Sequence, residues 1–232
     1  MSRVSHRLSV VVPTLNEAEG IVAFLTALQP LRRRGVEVIL SDGGSRDGTV
    51  EAASGLVDQV IESPTPGRAA QMNAGAAEAR ADILLFLHAD TELPPQAERF
   101  IIEGLSKSQR HWGRFDVRLS GRARMLRCVE SLMNLRSRLT GIATGDQAIF
   151  VERRAFESVG GFADIALMED IELSRRLKRL GPPLCLHETV ITSSRRWERD
   201  GIWRTIFFMW SLRLRYFLGA APTQLARRYH GK

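Results

Sequence analysis

Cysteine is scarce in this chain of 232 residues, which contains Cys128 and Cys185 and no other. The two are far apart and form no C-x-x-C motif, which argues against a disulfide framework and against a zinc ribbon. Scarce, unpaired cysteine fits a reducing compartment. The apolar share of 44% and the charged share of 25% are ordinary for a globular protein of this length, which can bury a substantial core.

Long hydrophobic runs are also missing. The N-terminal run LSVVV, residues 8–12, is too short for a signal peptide and leads directly into PTLNE, so we expect a cytoplasmic protein. No run approaches the roughly 20 apolar residues that a membrane-spanning helix requires.

Glycine-rich phosphate-binding motifs are absent as well. No G-x-G-x-x-G follows the first predicted strand, and the sequence has no Walker lysine. These absences disfavour a dinucleotide site and a P-loop.

Charge is distributed unevenly along the chain. Residues 1–100 hold nine Lys and Arg against 13 Asp and Glu, a balance of −4, whereas residues 101–232 hold 24 against 13, a balance of +11. The basic half is either a solvated, arginine-rich surface or one that meets an anionic partner such as phosphate, lipid or nucleic acid.

The first hundred residues alternate short β-branched runs with helical patterns. Strands are predicted at LSVVVP, VEVILS, DQVIES and DILLFL, and helices from about Glu17 to Gln29 and at GTVEAASG and GRAAQMNAGAAEAR. This alternation predicts an α/β fold with a Rossmann-like, mostly parallel sheet and helices on both faces. After Arg99 the pattern becomes mixed, with predicted strands at RFDVRLS and QAIFVERR among arginine-rich helical stretches.

Polar side chains follow all four strands of the first half, in PTLNE, SDGGSRDGT, SPTPGRAAQMN and HADTE. Turns and helix caps explain any one of these loops, but in an open parallel sheet all four meet at one edge, where ligands bind. Asp42 suits a hydrogen bond from a nucleobase N–H. Arg68 and Asn73 lie near the start of a helix, where a diphosphate is favoured, although a plain surface role is also open for both.

Asp90 ends the fourth strand, two residues after His88. A carboxylate beside a diphosphate suits Mg²⁺ or Mn²⁺, which takes few protein carboxylates and completes its shell with phosphate oxygens and water. Three roles are open for His88: a second metal ligand, which favours manganese, a phosphate contact, or a filler that leaves Asp90 as the single carboxylate at the metal.

The second half contributes two further acidic segments. Gly145, Asp146 and Gln147 precede a predicted strand, and Glu169 and Asp170 open the helix in MEDIELSRRLKRLG. Acidic residues at a helix N-terminus are stabilised by the helix dipole, and two adjacent carboxylates in a cleft also suit general-base catalysis.

In this order, SVVVPTLNE, SDGGSRDGT, HADT and GDQ…MEDIELSRRL resemble the inverting nucleotide-diphosphosugar glycosyltransferases of family two, which have the GT-A fold. GRAAQMNAGA, FLHADT, TGDQAIFV and SSRRW are most similar to the arsenosugar-biosynthesis or carotenoid-type subgroup. The resemblance implies sugar transfer from a nucleotide-sugar donor, which we expect to be UDP-linked, to a hydroxyl acceptor that is small or lipid-like, with Mn²⁺ or Mg²⁺ assisting departure of the diphosphate. It implies a nucleotide-sugar-binding half at 1–100, an acceptor-binding and catalytic half at 101–200, and a C-terminal amphipathic arm at 201–232.

The resemblance also implies roles for individual residues. The residues implied for the nucleoside pocket are Pro13, Asn16, Glu17 and Asp42. Asp90 is implied as the metal-binding carboxylate, and Asp170, with Glu169 beside it, as the base that deprotonates the acceptor hydroxyl. The residues assigned to the diphosphate and acceptor are Gly145, Asp146, Gln147, Arg195, Arg196 and Trp197.

Two positions depart from the family pattern. His88 stands where the first Asp of the D-x-D motif is expected, which leaves the metal affinity open, and SSRRW is a shortened form of Q-x-x-R-W. The incomplete motif and the lack of spanning segments argue against a processive polysaccharide synthase.

Residues 201–218, GIWRTIFFMWSLRLRYFL, form the most aromatic segment. As a helix, the segment carries an apolar stripe of Trp203, Ile206, Phe207, Trp210, Leu214 and Phe217. Arg204, Arg213 and Arg215 argue against a membrane span. Three interpretations are open: a core helix that closes the acceptor side, a homodimer interface, and an interfacial helix that docks on anionic lipid at the inner face of the membrane.

Two other functions stay open. A sugar nucleotidylyltransferase would need a glycine-rich, basic loop after the first strand, where this chain has the acidic PTLNEAEG. A non-enzymatic basic module for membrane or nucleic acid explains the balance of +11 but not the acidic loops of the first half. We therefore expect an enzyme with no nucleic-acid partner.

Overall fold

Eight strands and ten helices make up residues 7–231, the part of the chain that the computed structural model describes. The strands are β1 Leu8–Thr14, β2 Glu37–Asp42, β3 Gln59–Glu62, β4 Ile83–Phe86, β5 Thr91–Glu92, β6 Trp112–Leu119, β7 Phe150–Glu152 and β8 Leu184–Thr192. The helices are α1 Ala18–Arg33, α2 Thr49–Ala53, α3 Arg68–Glu78, α4 Ala97–Ser108, α5 Arg124–Thr140, α6 Arg153–Ser158, α7 Glu169–Leu177, α8 Arg195–Asp200, α9 Ile202–Phe217 and α10 Pro222–His230. A 3₁₀ turn spans Gly145–Gln147.

The strands form one sheet in the order β3-β2-β1-β4-β7-β6-β8-β5. The four strands of the first half are parallel neighbours, with Val10 of β1 paired to Val38 of β2 and Leu85 of β4. β7 adds to β4 in the antiparallel sense, and β6 does the same to β7. The predicted α/β fold, parallel in its first half and mixed in its second, is confirmed.

Helices cover both faces of the sheet, as the continuous apolar strands predict. Val10 and Val12 of β1 pack on one face with Leu25 of α1, while Val11 packs on the other face with Met72 of α3. Because successive side chains of a strand point to opposite faces, a strand covered on both sides buries every residue, as β1 does.

β8 and β5 lie outside the predicted strands. β8 runs parallel to β6, and the two-residue β5 pairs antiparallel with β8. The hydrophobic pattern does not predict β8, because His187 and Glu188 interrupt the apolar residues and most residues of the strand are only half-buried. This strand matters for the site because it ends beside Asp90, whose carbonyl oxygen accepts a hydrogen bond from the Ser193 N–H at 3.1 Å.

The C-terminal helices pack against the second half of the chain. Leu212 of α9 and Leu225 of α10 are buried in a cluster with Ile171 of α7. Ile206 of α9 packs with Val129 of α5. α9 and α10 therefore lie over the segments that carry the acidic residues of the second half.

The predicted aromatic stripe of α9 faces solvent. Five of its members are 60–64% exposed: Trp203, Phe207, Trp210, Leu214 and Phe217. The interpretation of α9 as a core helix therefore holds for its opposite side and is wrong for this stripe. No helix within residues 7–231 has the length and apolar character needed to cross a membrane.

Candidate active site

Two adjoining cavities lie beyond the ends of β1 and β4, beneath α9 and α10. The larger, of about 180 Å³, is lined by eight of the predicted site residues: Pro13, Glu17, Arg68, His88, Asp90, Asp146, Arg196 and Trp197. The smaller, of about 80 Å³, includes Gly145, Glu169 and Asp170 in its wall. The two cavities form one continuous site because they share Arg68, His88, Asp146, Met209 and Tyr229.

Asp42 builds the turn that follows β2. Its buried carboxylate accepts hydrogen bonds from the N–H groups of Gly44 at 2.9 Å and Ser45 at 2.8 Å, and from the Ser45 hydroxyl at 2.5 Å. These bonds are those of a side chain that stabilises its own turn. Asp42 lies outside the lining of both cavities, and the predicted nucleoside contact of this residue stays a prediction.

Some of the predicted residues in and beside the loop after β1 line the cavity, and one stabilises the loop. Asn16 accepts a hydrogen bond from the Arg46 N–H at 2.9 Å, which ties the loops after β1 and β2 together. Glu17 lines the larger cavity, where burial and then the charge of Asp90 raise the pKa of its carboxyl group. Pro13 lies in the same wall, so Pro13 and Glu17 face the cavity whereas Asn16 holds the loop.

α3 supplies one cavity residue and one structural residue. Arg68 lines both cavities. Asn73 instead forms two hydrogen bonds with the backbone of Phe162: its Nδ2–H donates to the carbonyl oxygen at 2.8 Å, and its Oδ1 accepts the N–H at 2.9 Å. The amide group predicted for the donor is therefore occupied in fastening α3 to a distant loop.

His88 lies directly against Gly145. A methyl group added at Gly145 would be 2.3 Å from His88 Cε1 and 2.7 Å from Nε2, far inside the roughly 3.5 Å of van der Waals contact. Burial, and then the charge of Arg68, lower the pKa of His88 well below its ordinary value. The imidazole is therefore neutral at pH 7, and one ring nitrogen can accept a hydrogen bond or bind a metal.

Two backbone N–H groups hold the carboxylate of Asp170. The Gly145 N–H donates to Asp170 Oδ2 at 2.9 Å, and the Ile171 N–H donates to Oδ1 at 2.7 Å. Since the first bond comes from the 3₁₀ turn, the position of Asp170 depends on the same turn that packs against His88.

Asp146 and Glu169 are carboxyl groups whose ionisation is unfavourable in this site. Burial, followed by the charges of Asp90 and Asp170, raises the pKa of Asp146 to about 6. Burial, followed by the charge of Asp170, raises the pKa of Glu169 to about 7. Near neutral pH, Glu169 is therefore protonated in a large fraction of the molecules.

Gln147 belongs to the structure of the 3₁₀ turn rather than to the cavity wall. It is fully buried, its Oε1 accepts the Thr144 N–H at 3.3 Å, and its Nε2 donates to Asn134 Oδ1 at 3.4 Å. Gln147 thereby fixes the turn that presents Asp146.

The three predicted residues of α8 have different surroundings. The Arg196 guanidinium carbon lies 3.8 Å from the centroid of the Tyr229 ring, and its Nη2 donates to the Tyr229 carbonyl oxygen at 3.2 Å. Trp197 lines the larger cavity and packs with the apolar cluster of Leu119. Arg195 is exposed and bonds through Nε to Ser193 Oγ at 3.1 Å, outside both cavity walls.

Several cavity residues are absent from the predicted site. They are Thr192 and Ser193 at the end of β8, and Thr205, Met209, Arg213 and Tyr229 from the C-terminal helices. The spacing of four residues between Thr205, Met209 and Arg213 is a helical signal on the side opposite the aromatic stripe. This spacing indicates that Thr205, Met209 and Arg213 share one face of α9, but it does not show that this face lies over the cavities.

Among residues 7–231, no group of three His, Cys, Asp or Glu side chains is arranged to hold a metal ion. The predicted ligands Asp90 and His88 nevertheless line the same cavity, as does Asp146. A metal ion at this site would therefore need further ligands from a bound molecule and from water.

The comparisons with known proteins agree on the kind of protein. A family model described as Glycosyl transferase family 2 matches residues 9–128. The uncharacterized glycosyltransferase Rv1514c of Mycobacterium tuberculosis is 29% identical over 228 residues, covering 91% of this chain and 86% of the relative.

Solved structures with the GT-A fold are similar to this one. The mannosyltransferase PcManGT from Pyrobaculum calidifontis, in complex with GDP-Man and Mn²⁺, has a TM-score of 0.61 at 21% identity, over 81% of this chain and 56% of that one. Glucosyl-3-phosphoglycerate synthase from Mycobacterium tuberculosis, in complex with Mn²⁺, UDP and glucosyl-3-phosphoglycerate, has a TM-score of 0.58 at 20% identity, over 81% of this chain and 71% of that one. At these identities the likeness identifies the fold. The family model matches more than half of the residues of this chain, and the chain therefore belongs to glycosyl transferase family 2.

Proposed function

We propose that this protein is an inverting glycosyltransferase that moves a sugar from a nucleotide-diphosphate donor, UDP-linked, to a hydroxyl group of its acceptor. The observation that carries the proposal is one continuous site that joins two arginines, Arg68 and Arg196, to a fixed carboxylate, Asp170. The arginines suit the diphosphate that leaves, and the carboxylate suits the proton that the acceptor loses.

The larger cavity is the proposed donor site. Guanidinium groups bind diphosphate oxygens through paired N–H donors, and both arginines lie in its wall. Pro13 and Glu17 are assigned to the nucleoside end because Pro13 lies near the end of β1 and Glu17 lies in the loop that follows it. The similar structures that hold GDP-Man or UDP support a nucleotide donor.

Mn²⁺ or Mg²⁺ fits the donor side. Asp90 offers an exposed carboxylate, and His88 offers a neutral imidazole. Burial, followed by the charges of Asp90 and Asp170, raises the pKa of Asp146 to about 6. A cation therefore meets negative charge and suitable donor atoms in this wall. When bound, such an ion neutralises charge on the departing diphosphate. We assign it to Asp90 and His88, with Mn²⁺ preferred because of the imidazole.

Asp170 is the proposed base. Its carboxylate is held at both oxygens by backbone N–H groups, so it stays in the wall of the smaller cavity. The acceptor hydroxyl gives its proton to Asp170, and its oxygen bonds to the anomeric carbon on the side opposite the diphosphate. The bond from that carbon to the diphosphate oxygen breaks, which inverts the anomeric centre. Glu169, with a pKa of about 7, limits the negative charge beside the base.

Family membership supports sugar transfer over the nucleotidylyltransferase and the non-enzymatic basic module. The motifs GRAAQMNAGA, FLHADT, TGDQAIFV and SSRRW support assignment to the arsenosugar-biosynthesis or carotenoid-type subgroup. The division into a donor half, an acceptor half and a C-terminal arm is part of the same proposal.

The exposed stripe of α9 is the proposed contact with a membrane. Trp203, Phe207, Trp210, Leu214 and Phe217 present an apolar face on a helix that also carries exposed arginines at 204 and 215. Aromatic side chains flanked by arginine suit the boundary of an anionic bilayer. The neighbouring α5 adds three exposed leucines, Leu132, Leu135 and Leu139. The proposal places the protein in the cytoplasm, peripheral on the inner face of the membrane.

The function is tested by measuring donor binding and transfer separately. Titration calorimetry with UDP- and GDP-sugars, with and without Mn²⁺, identifies the donor. We expect Asp90→Ala to abolish the metal-dependent part of UDP binding, and Glu92→Ala, an exposed carboxylate two residues away, to leave it unchanged. Asp170→Asn should keep donor binding and lose transfer. Metal-dependent binding that survives Asp90→Ala would refute the metal assignment, and full transfer by Asp170→Asn would refute the base.

A further inference from the structure

A basic cleft of about 380 Å³ is formed by residues of α8, α9 and α10, beside the larger cavity. Four arginines line this basic cleft: Arg196, Arg199, Arg204 and Arg228. Among the described residues, the wall holds one carboxylate, that of Asp200. This carboxylate is already bonded to Arg199, whose Nε and Nη2 donate to it at 2.8 and 3.2 Å. The basic cleft therefore has an excess of positive charge.

Two of the four arginines have guanidinium groups that are open to a ligand. Arg204 and Arg228 are exposed, and their side chains form no hydrogen bond or ion pair with any residue in the range 7–231. Cations that converge on one concave wall repel each other and attract an anion from solution. An anion in the basic cleft would thus meet accessible N–H donors.

Arg204 also lies at the edge of the exposed aromatic stripe of α9. Successive residues of a helix are about 100° apart around its axis, so Arg204 is about 100° from Trp203. Phe208, one turn after Arg204, lies in the wall of the basic cleft as well. On the other side of the stripe, Ile206 packs against α5. The basic cleft therefore borders the side of the stripe that α5 leaves uncovered.

This position determines the depth of the basic cleft in a membrane. When the apolar face of an interfacial helix enters the boundary between headgroups and acyl chains, the residues at the edges of that face lie among the headgroups. With the stripe of α9 in the boundary, Arg204 and the basic cleft behind it lie at the level of the lipid phosphates.

The basic cleft adjoins the donor site but is separate from the reacting groups. Arg196, Thr205 and Tyr229 line both the basic cleft and the larger cavity. Neither Asp90 nor Asp170 lies in the wall of the basic cleft. A molecule bound there would contact neither the proposed metal ligand nor the proposed base, so it would not be the acceptor.

We propose that the basic cleft binds the headgroup of an anionic phospholipid, which anchors the protein to the membrane and is not altered in the reaction. This deepens the proposed function and rests on its membrane contact, because it names the class of lipid and the residues that recognise it. Guanidinium groups match the oxygens of a phosphate diester through paired N–H donors. The stripe contacts the acyl-chain boundary, and the basic cleft binds the charge above it.

A solvated, arginine-rich surface is the competing explanation. Arginines that serve solubility alone are stable when they are dispersed, because like charges repel. Here four guanidinium groups share one concave wall that borders an exposed apolar face. This combination of charge and apolar surface matches the two layers of a bilayer boundary.

The test measures cosedimentation of the whole protein with vesicles of phosphatidylcholine that contain phosphatidylglycerol. The cleft variant is Arg204→Gln/Arg228→Gln. The matched control is Arg215→Gln/Arg227→Gln, which removes two exposed arginines from the same two helices, outside the basic cleft. We expect the cleft variant to bind these vesicles at least about tenfold more weakly than the control, because it loses charged hydrogen bonds to the headgroup. Equal affinities would show a general attraction to negative charge and would overturn the proposal.

Vesicles of phosphatidylcholine alone separate the basic cleft from the stripe. The wild type should bind them more weakly than the anionic vesicles, and the cleft variant should bind them as the wild type does. Equal binding of the wild type to both kinds of vesicle overturns the basic cleft and leaves the membrane contact of the stripe standing. No binding to either kind overturns the membrane contact and the basic cleft together.

Two calorimetric titrations complete the test. UDP affinity without vesicles should be retained in the cleft variant, because Arg204 and Arg228 lie outside the wall of the larger cavity. Failure of the wild type to bind UDP would overturn the proposed sugar transfer, whatever the vesicles show. Glycerol phosphate binding that the cleft variant loses while its vesicle binding stays intact would assign the basic cleft to a soluble phosphate ester and overturn the lipid.

Discussion

Replacement of Gly145 by alanine tests the contact that connects His88 to the base. The added Cβ would lie 2.3 Å from His88 Cε1, so the ring or the 3₁₀ turn must move by about 1 Å to restore contact distance. Gly145 is not among the glycines with positive φ, so alanine is compatible with its backbone and the overlap is the main penalty. Overpacking of this kind costs about 1–3 kcal/mol in the free energy of unfolding. Transfer should fall as well, because the Gly145 N–H holds Asp170.

A double-mutant cycle measured by urea denaturation separates this contact from other effects. In a His88→Ala background the ring is gone, so Gly145→Ala should cost at least about 1 kcal/mol less than it does in the wild type. Gly20→Ala is the matched control: no atom lies within 4 Å of its added Cβ, and an alanine inside α1 should be neutral or stabilising. If the costs of His88→Ala and Gly145→Ala add within about 0.5 kcal/mol, the contact is not what constrains position 145.

Three further predictions concern stability and the membrane. Because folding raises the pKa of Glu169 from 4.5 to about 7, the folded state holds its proton more tightly, and the free energy of unfolding falls as pH rises between these values. Glu169→Gln should remove up to about 3 kcal/mol of that pH dependence in urea denaturation at pH 5 and 8, and an unchanged profile would contradict the shift. Asn73→Ala should lower the free energy of unfolding by about 1–3 kcal/mol, since the backbone of Phe162 loses two partners, while calorimetric UDP affinity is retained; weaker UDP binding at full stability would place Asn73 in the donor site. Phe207→Asp with Trp210→Asp should reduce cosedimentation with anionic vesicles, whereas unchanged sedimentation and a smaller species in gel filtration would assign the stripe to a dimer.

The parallel half of the sheet follows from the local sequence. Strands such as β1 have a mostly apolar sequence and are buried throughout. Turn-forming residues follow each of them, so the hydrophobic pattern and the turn signals predict the same elements. β8 does not follow, because it pairs beside β6 at the outer part of the sheet and carries His187 and Glu188 in its centre. Its strand conformation is imposed by a partner that is distant in sequence.

The candidate site divides in the same way. The sequence predicts that Asp90, after a strand, and Arg68, at the start of a helix, lie at the same edge of the sheet, because parallel strands end at one edge. The sequence does not show which groups a polar side chain bonds to or whether it faces the cavity. Asn73 bonds to a residue 89 positions away, and Arg213 reaches the site only because α9 folds back over it. The order of strands and loops in the sequence predicts the sheet edge at which the polar side chains lie. Tertiary packing determines which of these side chains face the cavity.

The stacking of Arg196 on Tyr229 has a thermodynamic consequence. A guanidinium group stacks through its face and donates hydrogen bonds at its edge, so Arg196 can hold a diphosphate while Tyr229 of α10 remains against it. On the proposed assignment, donor binding and the docking of α10 share one residue and are therefore linked. Linkage is reciprocal: a bound nucleotide lowers the equilibrium constant for local opening of α10, and opening of α10 weakens nucleotide binding by the same factor. Hydrogen exchange along the last helix would thus report the occupancy of a site formed by the first strands of the chain.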